Sequence, residues 1–214
     1  MDIKELKNSY KRLKIDIEKR LEEFKLIWLE GNNEDIFIEL AFCILTPQSK
    51  AKSAWKAITK LKETGLLFYG EEEEIVEYLN IVRFKNTKAK NLVLLRETIK
   101  DENGVIIIKE ILDKLESPIK MRNWIVKNIR GIGYKEASHF LRNIGFGSKL
   151  AILDRHILKN LFKLNVINEI PKTLTAKKYL EIENKMIEFS KKINIKMEHL
   201  DFVLWYQEAG EIFK

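Results

Sequence analysis

The sequence predicts an all-α fold, and three observations carry that expectation. Apolar residues recur every three or four positions, as in Leu6, Tyr10, Leu13, Ile17, Leu21, Phe24 and Trp28, the period of a helix with one face turned inward. Only three prolines interrupt a chain rich in Lys, Glu and Ile. Short clusters of Gly, Asn, Ser and Asp divide it into helix-length segments.

The first helix is expected over Asp2 to Glu30, ended by Gly31-Asn32-Asn33, with Asn33 capping the next helix, Glu34–Thr46. That second helix is apolar nearly all round and reads as a central core element. Thr46-Pro47-Gln48-Ser49 breaks it, and Ser49 is expected to cap a helix with Ala54, Trp55, Ile58 and Leu61 inward. Thr64-Gly65 and Tyr69-Gly70 bound a loop. Glu71–Glu74 fit the first turn of a short helix, where the dipole favours anions. Residues 82–89 read as polar and basic around an exposed Phe84, followed by a helix from Thr87 to Lys100. A strand is conceivable at Val105–Ile108, but Ile111, Leu112 and Leu115 continue a helical period, so Val105–Leu115 is expected as helix. Ser117-Pro118 matches a cap with proline at the first helical position, opening a helix that runs to Ile129. Further helices are expected over residues 134–143, from Asp154, over Thr175–Lys192, and from Met197 to Gly210, giving ten or eleven in all. Residues 49–164 are expected to form one lobe, and 1–48 with 165–214 the other.

At 214 residues and 45% hydrophobic content, the chain can bury a real core. Cys43 is the lone cysteine, which excludes an internal disulfide and a four-cysteine metal or iron–sulfur site. No apolar run spans a bilayer, and the charged start lacks a secretion signal, so a cytoplasmic protein is expected. The formal charge of +7 is unevenly placed. Residues 120–160 hold nine Lys/Arg and two Asp/Glu, whereas the remainder holds thirty of each sign. The whole excess therefore sits in one block, an electrostatic footprint for a polyanion.

That block centres on Asn128-Ile-Arg-Gly-Ile-Gly-Tyr-Lys-Glu-Ala-Ser-His-Phe-Leu141. Gly131 and Gly133 bracket a single apolar residue, Ile132, between two helical patterns spanning roughly 121–143. Glycines permit a tight turn and a close backbone approach, and the following helix N-terminus presents N–H groups suited to a phosphate. Such a helix-hairpin-helix grips a DNA backbone without reading its bases. An ordinary αα-hairpin is the plain alternative; the basic block argues against it.

Lys135 stands in the first turn after the hairpin, the wrong charge for that end of a helix dipole, with Arg130, Arg142 and Arg155 as potential neighbours. These conditions favour a neutral, nucleophilic amine; a phosphate-binding lysine is the alternative. Asp154 lies between the apolar run Leu150–Leu153 and a helix. It is either an N-cap or a carboxylate that stabilises a cationic sugar and moves protons. His139 and His156 lack a third ligand at metal spacing and read as structural or DNA-facing, and Trp205 as core or pocket.

The strings GIGYKEASHFLRNIGF and LAILDRHIL resemble the helix-hairpin-helix DNA glycosylase superfamily, and within it the second type of 8-oxoguanine DNA glycosylase/AP lyase of archaea and some bacteria. Weaker similarity covers nearly the full length. The resemblance implies two lobes with the active site in the cleft between them, Lys135 as the amine that forms a Schiff base, and Asp154 as the catalytic carboxylate. It implies DNA contacts from Gly131, Ile132, Gly133 and Arg155, with a monovalent cation on the hairpin carbonyls as an option and no other metal or cofactor. Phe84, Trp205 and the terminal carboxylate of Lys214 would form the base pocket, and Gln48 and Arg83 would fill the gap left in the duplex. The 145–149 loop is one residue longer than the family pattern, and the iron–sulfur cysteines of the related endonuclease III branch are absent. The implied partner is double-stranded DNA carrying a damaged base, bound by a nucleoid-associated monomer. A glycosylase for another lesion and a non-catalytic DNA-binding module are the alternatives.

Overall fold

The computed structural model describes Asp2–Gly210 and Ile212, without the side chains of Glu208 and Ala209. Twelve helices lie among the described residues: α1 (Ile3–Glu30), α2 (Asn33–Leu45), α3 (Ala51–Glu63), α4 (Leu66–Tyr69), α5 (Glu72–Tyr78), α6 (Lys85–Thr98), α7 (Ile108–Asp113), α8 (Pro118–Asn128), α9 (Tyr134–Asn143), α10 (Arg155–Lys163), α11 (Ala176–Ile193) and α12 (Met197–Ala209). The all-α expectation holds, and α4 is the helix the sequence reading left as loop.

Local chemistry sets the helix ends. Asp2 caps α1 and closes a capping box with Glu5. Asn32, rather than Asn33, caps α2 through a box with Asp35. Ser117 caps α8 with Pro118 at its first position, as expected. The helix expected from Val105 begins only at Ile108, because the chain first doubles back. The Asp101 carboxylate accepts the Asn103 and Val105 N–H groups, and Lys100 pairs with Ile106 in an isolated antiparallel bridge. Ser49 does not cap α3; its hydroxyl is engaged elsewhere.

Two buried clusters form. The first joins α2, whose residues 36–45 are all buried, to buried side chains of α3–α9 and ends at Leu150. The second joins α1 to α10, α11 and α12 and begins at Ala151. The expected division at residues 48 and 164 is thereby corrected: α2 belongs with the middle of the chain, and α10 with the terminal helices. Apolar character alone could not assign α2, since a helix buried on every face can pack against either group. Truncating a fully buried side chain such as Phe42 costs about 3–5 kcal/mol.

Two buried ion pairs cross between the clusters. Arg122 of α8 donates to both carboxylate oxygens of Glu183 in α11, at 2.6 and 2.8 Å, and Arg142 of α9 donates to Asp201 Oδ2 in α12 at 2.7 Å. Helix α1 packs against both α9 and α12, adding apolar contact across the same seam.

Candidate active site

A cavity of about 620 Å³ opens at that seam, within the size range of small-molecule sites. One wall comes from the Thr46–Ala51 segment, Arg83 and the α9 side chains Lys135, His139 and Arg142. The other comes from Ile152, the 154–157 turn, and Asp201, Phe202 and Trp205 of α12.

The hairpin precedes it directly. Helix α8 ends at Asn128, Gly131 adopts φ +86°, and Ile132 is buried as an apolar anchor. The positive φ of Gly131 favours glycine, and any Cβ there would also have to displace the Asn91 side-chain amide. Gly133 is the N-cap of α9 and supplies no side-chain cap, leaving the first-turn N–H groups for an anion. Lys135 follows in that first turn. Its side chain is 25% exposed and its ammonium lies 3.2 Å from Glu136 Oε1.

Asp154 reaches the cavity through a different construction. Residues 150–154 have no regular structure, yet they are held by buried groups on α11. Ala151 N–H donates to Glu183 Oε2 at 2.7 Å, and the Tyr179 hydroxyl donates to Ala151 O at 2.5 Å. Leu153 N–H donates to the same hydroxyl at 3.4 Å. Burial raises the Tyr179 pKa above its ordinary value, keeping that donor protonated. Asp154 then caps α10, its Oδ1 accepting the His156 and Ile157 N–H groups, each at 2.8 Å. The cap reading of Asp154 is thus correct, and the capping oxygen belongs to a carboxylate that lines the cavity.

Asp201 is a second carboxylate in the cavity wall. Burial pushes its pKa up to about 6, outweighing the attraction of Arg142, and the nearby charge of Asp154 adds to the rise. The Arg142 guanidinium stacks 4.4 Å from the Phe202 ring centroid, which fixes the pair sideways as well as by charge.

The remaining expected residues divide. Gln48, Arg83, Trp205 and Arg155 line the cavity beside Lys135 and Asp154. Phe84 does not; its ring is 56% exposed and the Arg83 guanidinium lies 5.8 Å from its centroid. Gln48 and Phe84 are both non-glycine residues at positive φ, +55° and +59°, a conformation that costs about 1–2 kcal/mol each and persists only where neighbours enforce it. The terminal carboxylate of Lys214 lies outside the described residues.

Sequence reasoning missed Lys88, Asp201, Arg122, Glu183 and Tyr179. Lys88 was read as part of a polar surface stretch, yet it is 4% exposed, and its ammonium donates to Leu45 O, Pro47 O and Ser49 Oγ at 2.7, 2.8 and 2.9 Å. Burial, with the charge of Lys135, pulls its pKa down to about 8. One signal was available: each of these residues sits on the apolar face of its helix, as Glu183 does beside Tyr179, Ile182 and Met186. Among the described residues no cluster of three or more His, Cys, Asp or Glu could hold a metal ion, and no helix is long and apolar enough to cross a membrane.

Comparison with known proteins identifies the family. A family model described as 8-oxoguanine DNA glycosylase matches residues 17–195. An 8-oxoguanine DNA glycosylase/AP lyase of Fusobacterium nucleatum is 57% identical over 210 residues, covering 98% of this chain and 96% of that protein. Its counterpart in Methanocaldococcus jannaschii is 42% identical over 213 residues, covering 99% and 97%. The crystal structure of the M. jannaschii 8-oxoguanine glycosylase/lyase in complex with a 15mer DNA containing 8-oxoguanine superposes with TM-score 0.89 at 39% identity, covering 99% of both chains. That of the Thermotoga maritima 8-oxoguanine DNA glycosylase gives TM-score 0.86 at 33% identity, covering 99% and 98%. By hairpin, cavity and full-length similarity, this chain belongs to the 8-oxoguanine DNA glycosylase family.

Proposed function

We propose that this chain is a bifunctional DNA glycosylase/AP lyase that removes 8-oxoguanine from duplex DNA and nicks the strand through a lysine Schiff base. The observation that supports it is the meeting of Lys135 and Asp154 in one cavity beside a phosphate-type hairpin turn. The hairpin N–H groups hold a backbone phosphate, and the basic surface around them neutralises its neighbours. The damaged nucleoside swings out of the stack, at a cost of about a few kcal/mol, into the cavity beside Trp205.

Lys135, as the free amine, attacks C1′. The bond from C1′ to the base breaks, the base leaves with its electron pair, and the lysine proton passes to it by way of Asp154. Asp154 also stabilises the cationic sugar as the glycosidic bond lengthens. Ring opening gives a protonated imine between Lys135 and C1′, which acidifies the C2′ protons. Loss of one expels the phosphate from C3′, and water then releases the lysine. The hydrogen bonds that cap α10 orient Asp154 for these transfers.

Borohydride reduction during turnover tests the reading, because it converts the imine into a stable cross-link. A denaturing gel should show a protein–DNA band with 8-oxoguanine duplex and none with undamaged duplex. Base release without a cross-link would remove the imine step. A panel of other oxidised bases defines the lesion range, and duplex left intact throughout would reduce the chain to a DNA-holding protein.

A further inference from the structure

Gln48 and Arg83, the two residues expected to enter the duplex, lie on segments 35 positions apart in sequence, and one buried lysine joins those segments. Lys88 sits in the first turns of α6, with its backbone N–H bonded to Phe84 O at 3.0 Å. All three ammonium protons are committed to the loop that carries Gln48: to Leu45 O and Pro47 O before it, and to Ser49 Oγ after it. The Ser49 hydroxyl oxygen also accepts the Arg83 N–H at 3.0 Å. Ser49 is therefore shared between the two loops, with Lys88 beneath it. Both loops carry a non-glycine residue in the left-handed region, Gln48 and Phe84, and each of these is flanked by a bond in this set. Hydrogen bonds on both sides of a disfavoured backbone conformation are what hold it in place.

We propose that Lys88 is a positioning residue that fastens the Gln48 loop to the Arg83–Phe84 turn, so that both meet the opened duplex as one rigid unit. The proposal rests on the reading that this chain opens duplex DNA at a lesion. An ammonium suits the task better than a neutral side chain, since only a group with three donors satisfies three acceptors at once. Leu45 O is buried, so loss of the lysine leaves that acceptor unpaired, while the half-buried Pro47 O and Ser49 Oγ lose the group that ties them together. The opening of the duplex depends on this unit, and the chemistry at Lys135 does not.

Two variants separate those roles. Ser49→Ala removes the shared acceptor and leaves Lys88 with its two carbonyls; Lys88→Met removes all three ammonium bonds and leaves only the Arg83 N–H bond to Ser49. Single-turnover excision from duplex 8-oxoguanine DNA should fall about tenfold in Ser49→Ala, which loses both hydrogen bonds to that hydroxyl, and further in Lys88→Met. Borohydride cross-linking of Ser49→Ala to a single-stranded oligonucleotide with a preformed abasic site, which needs no base-pair opening, should stay within about twofold of the unaltered protein, because that substitution removes no charge from the neighbourhood of Lys135. Adding Ser49→Ala to Lys88→Met should cost less than Ser49→Ala alone, since only the Arg83 N–H bond then remains to be lost. The proposal is overturned if Ser49→Ala excises from duplex at the unaltered rate, or if duplex excision and abasic cross-linking fall together. Absence of cross-linking by the unaltered protein would instead strike the Schiff-base reading.

Discussion

Lys88 and Lys135 are near enough for the charge of one to act on the other, yet their surroundings differ completely. Lys88 is buried with every ammonium proton committed to a fixed acceptor, whereas Lys135 is a quarter exposed, faces the cavity, and has Glu136 alongside at 3.2 Å. The contrast teaches that a basic residue in a DNA-repair cleft is defined by its partners rather than by its charge. A lysine with saturated donors is scaffold, and one with an open face is available for chemistry or for phosphate.

Four measurements sharpen that contrast. The largest effect is expected from Lys135→Gln, which should lower strand incision by at least about 1,000-fold and abolish borohydride cross-linking, as removal of a nucleophile does elsewhere. Binding of lesion duplex, measured by fluorescence anisotropy, should persist because the hairpin is untouched. Lys88→Met should show the reverse balance. It should lower the unfolding free energy by about 2–4 kcal/mol in a denaturant titration, since one buried and two half-buried acceptors lose their donor.

The third effect is one of pH. The pKa of Lys88 falls from 10.5 in the unfolded chain to about 8 in the fold. Between those values the unfolded chain binds a proton that the folded chain does not, so this group's contribution to stability rises with pH in that window and is flat below it. The stability difference between the unaltered protein and Lys88→Met should therefore widen from pH 8 to pH 10.5; a constant difference would show that Lys88 titrates normally. The smallest effect is expected from Glu136→Gln. It removes the partially exposed partner of Lys135 and should change stability by about 0.5 kcal/mol or less, as read by the same titration.

Much of this architecture is legible in the sequence because it is written locally. Helical periodicity, the caps at Asp2, Ser117 and Asp154, and the glycine turn each depend on residues within a few positions of one another. Lys135 and Asp154, which the resemblance implied as partners, both line one cavity. What escaped depends on partners far apart in the chain. Ser49 looked like a cap and is instead an acceptor for Arg83 and Lys88, 34 and 39 positions away. The place of Lys88 on the apolar face of its helix announces burial, but nothing nearby in sequence announces the three acceptors that satisfy it. Helix α2 offers apolar side chains in every direction, so its own residues do not say which cluster receives it. Phe84, which the resemblance implied as a pocket wall, is exposed at a left-handed position next to Arg83 of the cavity wall, and no local pattern announces that backbone.

The two ion pairs that cross the seam, Arg122–Glu183 and Arg142–Asp201, have a mechanical consequence. A bolted jaw does not bite. Breaking either buried pair costs about 3–5 kcal/mol, so opening along the seam is disfavoured, and a duplex pressed against it would take up the change of shape instead. Sequences that kink readily around the damaged nucleotide should then be processed faster than stiff ones, a preference exercised without touching a single flanking base.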